Sequence, residues 1–184
     1  MRIGIDVDGV LADTIVAIQR KFNGWDTTKG WYGGFTKEEF DKVWADARHT
    51  DKFWENIPVV QGFNHRAMID LNEKHDLYFI TDRFDTVGGS AVRQTLNWVR
   101  FQLLAGATPA GIVVAKFKGP VAKVLDLDAF IDDKPENCTD VVAAVPTCSV
   151  TLCSLPHNLK WESPANITRR ESFNAFAMHI LSEE

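Results

Sequence analysis

Short apolar segments alternate with amphipathic segments along most of this 184-residue sequence, and this alternation restricts the fold more than any other feature. The segments typical of buried strands are 2–7, 76–81, 111–115, 128–132 and 147–153. Apolar residues recur at helical spacing in 11–23, 36–48, 63–75, 86–104, 119–126, 135–145 and 171–181. Apolar strands that alternate with helices form parallel sheets covered on both faces. The sequence therefore predicts an α/β fold, a Rossmann-like arrangement of three layers with a parallel sheet in the middle.

Residues 14–62 interrupt this alternation after the first predicted strand. Their pattern is mainly helical, with a capping box at Thr36 and Glu39 and a predicted return strand at FWENIP (53–58). This segment holds many aromatic side chains: Trp25, Trp31, Tyr32, Phe35, Phe40, Trp44, Phe53 and Trp54. We interpret 14–62 as a small helical cap inserted into a core domain formed by 1–13 and 63–184.

Composition excludes several classes of protein. The formal net charge of −5 gives no overall basic surface for duplex nucleic acid. No apolar run is long enough to span a bilayer, and no signal peptide precedes the first strand. The three cysteines are too few and too irregularly spaced for a disulfide framework or a zinc site. We therefore expect a cytoplasmic protein with buried thiols, no membrane partner and no stable nucleic-acid partner; a homodimer is left open.

Polar side chains follow four of the predicted strands at the point where each strand ends. They are Asp6 and Asp8, then Thr81, Asp82 and Arg83, then Lys116 and Lys118, then Asp132 and Asp133. The carboxyl ends of parallel strands meet at one edge of a sheet, where ligands bind. Carboxylate oxygens are ligands that Mg²⁺ prefers, and Mg²⁺ leaves room for water and phosphate. The sequence therefore predicts a magnesium and phosphate site at this edge.

The order of these motifs resembles that of the haloacid dehalogenase superfamily of phosphohydrolases. Within it, DVDGVLAD (6–13), FWENIPVVQG (53–62) and IDDKPEN (131–137) are similar to the 5′(3′)-deoxyribonucleotidases and their bacterial and phage relatives. One departure is TDR (81–83), where many of those nucleotidases have Thr-Ser-Pro. The resemblance implies the haloacid dehalogenase fold and hydrolysis of a phosphomonoester with Mg²⁺ as cofactor.

Roles for the first two motifs follow from the residues and from this resemblance. Asp6 is expected to attack phosphorus and form an aspartyl-phosphate. Asp8 is expected to protonate the leaving oxygen and then to activate water. The resemblance adds a metal contact through the backbone carbonyl of Asp8. Thr81 is expected to donate a hydrogen bond to a phosphoryl oxygen.

The remaining motifs supply the counter-charge and the metal ligands. A lysine stabilises the nucleophile and the transferring group; we choose Lys118, at a predicted loop-to-helix junction, with Lys116 and Lys123 as alternatives. The resemblance implies that Asp133 binds the metal directly and that Asp132 is an outer or water-mediated partner.

Substrate contacts are expected from the cap and from the segment after the second strand. Asp82 and Arg83 are candidates there, although Arg83 would either hold a phosphate or pair with Asp85. Phe53 and Trp54, with Trp31 and Tyr32, are expected to stack on a nucleotide base. Phe40 and Trp44 are expected to pack inside the cap instead. The preferred substrate is therefore a nucleoside monophosphate.

Two other functions remain open. The same site suits a sugar phosphate or a polynucleotide 3′-phosphate. A phospho-accepting signalling domain uses similar chemistry, but its acidic pair comes first and its phosphorylated aspartate comes mid-chain. In this sequence Asp6 and Asp8 come first and the adjacent pair comes late, which favours the hydrolase.

Overall fold

The computed structural model describes residues 1–21 and 34–183, without the side chains of residues 20 and 21. Its strands are β1 (Arg2–Asp6), β2 (Asp76–Thr81), β3 (Gly111–Val114), β4 (Ala129–Asp132), β5 (Ser149–Cys153) and β6 (Ile167–Arg170). Its helices are α1 (Thr14–Lys21), α2 (Lys37–Arg48), α3 (His65–Lys74), α4 (Ala91–Trp98), α5 (Lys118–Leu125), α6 (Pro135–Ala144) and α7 (Phe173–Ser182). A 3₁₀ helix covers Phe53–Asn56, and a π-helical turn covers Val99–Leu103. None of the helices within the described ranges is long and apolar enough to cross a membrane.

The six strands form one sheet in the order β3-β2-β1-β4-β5-β6, and every pairing is parallel. The predicted α/β fold with a central parallel sheet is therefore confirmed. The sequence pattern did not identify β6, because only Ile167 of its four residues is buried and the other three are polar. An edge strand with so little apolar surface has no clear periodicity.

The chain reverses direction across the sheet between β1 and β4. From β1 it proceeds to β2 and β3 on one side, and then returns to β4, β5 and β6 on the other. Ligands bind at such a switch point, beyond the carboxyl ends of the strands. Asp6 ends β1 and Asp132 ends β4, so both carboxylates lie at this position.

The described parts of the segment between β1 and α3, residues 7–21 and 34–64, pack against the sheet. Val43 of α2, Trp54 and Ile57 belong to the same buried apolar cluster as the β1 residues Ile3 and Ile5. The predicted capping box at the start of α2 is present. Trp25, Trp31 and Tyr32 lie outside the described residues, so the expected stacking role of Trp31 and Tyr32 stays a prediction.

The predicted return strand at 53–58 was wrong. Its first four residues form the 3₁₀ helix instead, preceded by Lys52 in a left-handed conformation (φ 48°). Phe53 and Trp54 are both buried there, at 5% and 2% exposure. Two consecutive buried aromatic residues fit a buried strand equally well in the sequence, which explains the error.

Candidate active site

Asp6 and Lys118 form a buried ion pair at the switch point. Lys118 Nζ lies 2.9 Å from Asp6 Oδ1 and also donates to the backbone oxygen of Ile80. Burial raises the pKa of Asp6 to about 6, assisted by the neighbouring carboxylates and opposed by Lys118. Burial lowers the pKa of Lys118, but Asp6, Asp132 and Asp8 together outweigh it and the net shift is upward. The ammonium group therefore stays charged beside the carboxylate.

The structure separates the three lysines that the sequence left as alternatives. Lys118 begins α5 and is 1% exposed, so its long side chain points into the site. Lys116 and Lys123 are exposed, and the Lys116 ammonium lies near the Phe117 ring instead. Among these three lysines, Lys118 is the one that contacts Asp6.

Asp8 is held by an arginine and two hydroxyl groups. Arg83 donates from Nε to Oδ2 and from Nη2 to Oδ1, both at 2.9 Å. Thr81 Oγ1 donates to Oδ2 at 2.9 Å, and Thr14 Oγ1 donates to Oδ1 at 2.6 Å. Burial raises the pKa of Asp8, but Arg83 and these hydrogen bonds outweigh it and the net shift is downward. Asp8 is therefore ionised and fixed in orientation.

Of the two partners expected of Arg83, Asp85 was wrong, and a phosphate stays a prediction that the pairing with Asp8 makes less favourable. The Arg83 guanidinium group is buried against Asp8 rather than presented to a phosphate. Asp85 does not pair with Arg83; its carboxylate accepts from the backbone N–H of Ala91. Sequence neighbours suggested Asp85, but the bidentate partner is 75 positions away along the chain.

Three buried carboxylates converge where β1 and β4 end. Oxygens of Asp6, Asp132 and Asp133 lie within 4.8 Å of one another. Asp132 already accepts from the backbone N–H of Lys134 at 2.8 Å and from Asn137 Nδ2 at 2.9 Å. Burial and the charge of Asp6 raise its pKa well above the usual range.

Asp133 differs from Asp132 because, within the described residues, neither of its buried carboxylate oxygens accepts a hydrogen bond. His157 Nε2 is 3.3 Å from Oδ2 and 3.1 Å from the backbone oxygen of the same residue. Burial lowers the pKa of His157, but Asp133 outweighs it and the net shift is upward. A buried carboxylate without donors is costly unless a cation compensates it. The residues present therefore fit a divalent cation such as Mg²⁺, with Asp133 as a direct ligand. The Asp8 side chain points to Arg83, which leaves its backbone carbonyl as the atom for the metal role expected of it.

Gly9 provides the space for this arrangement. It has φ +92°, and an added Cβ would lie 2.5 Å from Asp133 Oδ2. The conformation and the close approach both require glycine. The glycine after Asp8 therefore brings β1 and the Asp133 carboxylate together.

A cavity of about 350 Å³ opens beside Asp6 and Lys118. That volume is within the range of small-molecule sites. Its lining residues are Asp6, Asp8, Thr14, Phe40, Trp44, Arg48, Trp54, Thr81, Asp82, Phe84, Lys118, Lys134 and Asn137. Of these, Thr14, Arg48, Phe84, Lys134 and Asn137 were not singled out in the sequence. Thr14 directly follows the motif DVDGVLAD (6–13), and Asn137 ends the motif IDDKPEN (131–137). Their proximity to these motifs was the sequence signal that could have identified them.

The aromatic residues are arranged differently from the expectation. Phe53 does not line the cavity. Trp54 borders it but is 2% exposed, with the Trp44 ring stacked at 6.2 Å and the Arg83 guanidinium 4.7 Å from its centroid. A base would have to displace one of these neighbours, so the stacking role expected of Phe53 and Trp54 does not fit. Phe40, expected inside the cap, is half-buried and lines the cavity, as does Trp44.

Comparisons with known proteins identify the fold. No family model matches the sequence, and no curated protein matches it. A HAD-superfamily hydrolase of subfamily IA from Geobacter sulfurreducens aligns over 100% of this chain and 98% of its own, with TM-score 0.61 and 15% identity. The HAD-hydrolase YfnB from Bacillus subtilis, described as bound to magnesium, aligns over 98% of both chains with TM-score 0.59 and 14% identity.

A 2-haloacid dehalogenase from Pseudomonas syringae has the same fold at lower similarity. It aligns over 100% of this chain and 99% of its own, with TM-score 0.53 and 10% identity. The chain therefore has the fold of the haloacid dehalogenase-like hydrolases. Because these structures include a dehalogenase, the reaction has to be argued from the site itself.

The acidic cluster predicts how stability depends on pH and on Mg²⁺. The raised pKa values of Asp6 and Asp132 favour their protonated forms in the folded protein. In chelator, the unfolding free energy contributed by these groups therefore falls as pH rises from about 4 to 6 and beyond. We expect thermal denaturation to give a higher Tm at pH 5 than at pH 7.5. The difference between these two Tm values should be smaller in Asp6→Asn than in the wild type.

Adding Mg²⁺ at pH 7.5 should raise Tm by several degrees when its concentration is far above Kd. Asp133→Asn should remove this response, whereas Asp76→Asn, exposed at the opposite end of β2, should retain it. An equal response in Asp133→Asn would contradict the metal site.

If Asp6 attacks phosphorus, as we propose below, Lys118→Ala should lower kcat for phosphate release on the order of a hundredfold or more, because a preorganised charge beside the attacking group stabilises charge that develops in the transition state. Lys123→Ala, on the same helix but exposed, should match the wild type in the same steady-state assay. The reverse result would transfer the role to Lys123.

Proposed function

We propose that this protein is a Mg²⁺-dependent phosphomonoester hydrolase that works through an aspartyl-phosphate on Asp6. One observation carries the proposal: Asp6 lines the cavity and pairs with Lys118, and its carboxylate lies within 4.8 Å of the Asp133 carboxylate, whose oxygens accept no hydrogen bond from the described residues. That combination suits an attack on an anionic phosphate. Without a cation, three adjacent carboxylates would repel such a substrate.

The residues that would hold Mg²⁺ are Asp6, Asp133 and the backbone carbonyl of Asp8, with Asp132 as an outer partner. When bound, the cation neutralises the carboxylates and polarises a phosphoryl oxygen. Asp132 is oriented by Lys134 and Asn137, so it supports the cluster without offering a bare oxygen.

In the first half-reaction, an Asp6 oxygen forms a bond to phosphorus and the bond from phosphorus to the leaving oxygen breaks. Asp8 is the group placed to give that oxygen a proton. In the second half-reaction, a water oxygen attacks phosphorus, Asp8 takes its proton, and the bond from phosphorus to Asp6 breaks. Arg83 lowers the pKa of Asp8 and so favours the ionised form, which accepts the proton from water. Asp8 gives the proton of the first half-reaction from its protonated form, and the second half-reaction restores that form.

Thr81 and Lys118 are the donors proposed for the transferring group. Lys118 already contacts the nucleophile. Thr81 donates to Asp8 in this structure, so its proposed bond to a phosphoryl oxygen requires its hydroxyl hydrogen to turn toward the substrate. This rotation of the Thr81 hydroxyl replaces its hydrogen bond to Asp8 with one to the phosphoryl oxygen.

The preferred substrate is a nucleoside monophosphate, which makes the enzyme similar in activity to a 5′(3′)-deoxyribonucleotidase. Phe40, Trp44 and Phe84 supply aromatic surface to the same cavity as Asp6. Stacking on aromatic side chains is worth about 1–3 kcal/mol per base.

Buried free thiols at Cys138, Cys148 and Cys153 are compatible with the cytoplasmic location that we propose.

Release of inorganic phosphate from a panel of substrates tests the proposal. The panel contains nucleoside 5′- and 3′-monophosphates, sugar phosphates, a 3′-phosphorylated oligonucleotide and para-nitrophenyl phosphate, each with Mg²⁺ and with chelator. We expect Mg²⁺-dependent turnover that is fastest with a nucleoside monophosphate.

The contradicting results are distinct. Full turnover in chelator would contradict the metal, and a preferred sugar phosphate or oligonucleotide would contradict only the substrate. Halide release from a 2-haloacid, without phosphate release from any ester, would contradict the phosphatase itself.

A further inference from the structure

We infer that Arg48 is a specificity-determining residue that donates hydrogen bonds to acceptor atoms on the leaving group of the substrate. The inference rests on the proposed function and extends it from the reacting phosphate to the remainder of the substrate. The acceptors would be a carbonyl and ring nitrogen of a base, or the oxygens of a second phosphate.

Arg48 reaches the cavity from α2, whereas Asp6 reaches it from the end of β1. Arg48 is the last residue of α2, it is exposed, and it lines the same cavity as Asp6 and Lys118. Its guanidinium carbon is 3.9 Å from the centroid of the Phe84 ring. Within residues 1–21 and 34–183, no carboxylate pairs with it. Its donors are therefore not matched by an acidic side chain.

The surroundings hold Arg48 in place. Its backbone oxygen accepts from the N–H of Val87 at 3.1 Å, and the Val87 oxygen accepts from the N–H of Lys52 at 2.8 Å. These bonds tie the end of α2 to the segment that follows β2. The Phe84 ring beneath the guanidinium packs edge-on against Trp44 at 5.8 Å and Trp54 at 5.2 Å. The stacking partner of Arg48 is therefore itself fixed.

Two of the other cations at this site are already engaged by carboxylates. Lys118 contacts Asp6, and Arg83 contacts Asp8. Arg48 combines an anchored backbone with a planar group that donates in a fixed fork, which suits paired acceptors. In-line attack by Asp6 on a phosphate ester would place the leaving group on the side of phosphorus opposite Asp6, and the cavity that Asp6 lines is also lined by Phe84 and Arg48. Stacking on Phe84 and the favourable position at a helix C-terminus are the competing, purely structural explanation.

Steady-state kinetics of Arg48→Gln and Arg48→Lys with Mg²⁺ separate the two explanations. The substrates are guanosine and thymidine 5′-monophosphates, a nucleoside 3′,5′-bisphosphate and glycerol phosphate, whose leaving group is short and uncharged. Lys42→Gln is the matched control, because it removes a positive charge from an exposed position of α2 that does not line the cavity. Melting temperatures of all variants report on folding.

We expect Arg48→Gln to lower kcat/KM for at least one nucleotide about ten- to a hundredfold, mainly through KM, which is the range for a hydrogen bond to a charged group. The loss of kcat/KM on glycerol phosphate should be much smaller. Arg48→Lys should retain part of the activity on the nucleotide that Arg48→Gln loses, and Lys42→Gln should match the wild type. A loss confined to the bisphosphate would identify the second phosphate as the acceptor; a loss on monophosphates would identify the base. Equal losses on all substrates, or none, would overturn the inference, whereas a wild-type enzyme inactive on every ester would overturn the proposed function.

Discussion

Asp6→Asn should reduce phosphate release on the order of 10⁴-fold or more and leave the fold intact. Asparagine keeps the size of the side chain but lacks the charge that attacks phosphorus. It also removes one of three adjacent buried carboxylates, but it leaves the Lys118 ammonium without its closest carboxylate. Because the pKa of Asp6 is raised to about 6 despite Lys118, we expect the first effect to be larger and the metal-free protein to be at least as stable as the wild type. Initial rates with saturating Mg²⁺ and thermal denaturation measure the two effects.

Asp76→Asn is the matched control for this substitution. Asp76 begins β2 at the opposite edge of the sheet and is exposed, so activity should be unchanged. Turnover in Asp6→Asn within tenfold of the wild type would show that another group is the nucleophile. A lost fold would contradict the burial cost that the structure assigns to Asp6.

Arg83→Met should lower the free energy of unfolding by about 3–5 kcal/mol, because it leaves the largely buried carboxylate of Asp8 without its cation. The Arg83 side chain is 0% exposed and that of Asp8 is 22% exposed. Phosphate release should also fall, because Asp8 loses two of the hydrogen bonds that orient it. Urea denaturation at pH 7.5 measures the change in stability.

Two comparisons test the cause of that loss. In Asp8→Asn/Arg83→Met the buried charge is gone, so part of the stability should return. Lys37→Met breaks the exposed pair with Asp41 and should cost about 0–1 kcal/mol. A loss in Arg83→Met no larger than in Lys37→Met would show that the buried pair contributes little.

The sheet could be predicted because its signals are local. The central strands consist of consecutive buried residues, and β2 was predicted with the bounds that the structure has. The residues at their carboxyl ends meet at one edge in any parallel sheet, so Asp6 and Asp132 could be placed together before the structure was known. β6 and the 3₁₀ helix lack such a local sequence signal, since buried residues recur at no regular spacing in either element.

Side-chain partners could not be predicted in the same way. Arg83 was expected to face a phosphate or Asp85, yet it crosses to Asp8, and this choice depends on three-dimensional packing around Trp54 and Trp98. Aromatic composition likewise does not tell which ring faces a cavity. Trp44 and Trp54 both line the cavity, but Trp54 is buried and Trp44 is half-buried, although both are tryptophans of one predicted cap.

The stereochemical course at phosphorus tests the central claim most directly. A phosphomonoester made chiral with oxygen isotopes is hydrolysed in isotopically labelled water, and the configuration of the released phosphate is determined. Transfer to Asp6 and then to water consists of two in-line displacements, so the account predicts retention of configuration. Inversion would mean that water attacks the substrate directly, and it would contradict an aspartyl-phosphate on Asp6.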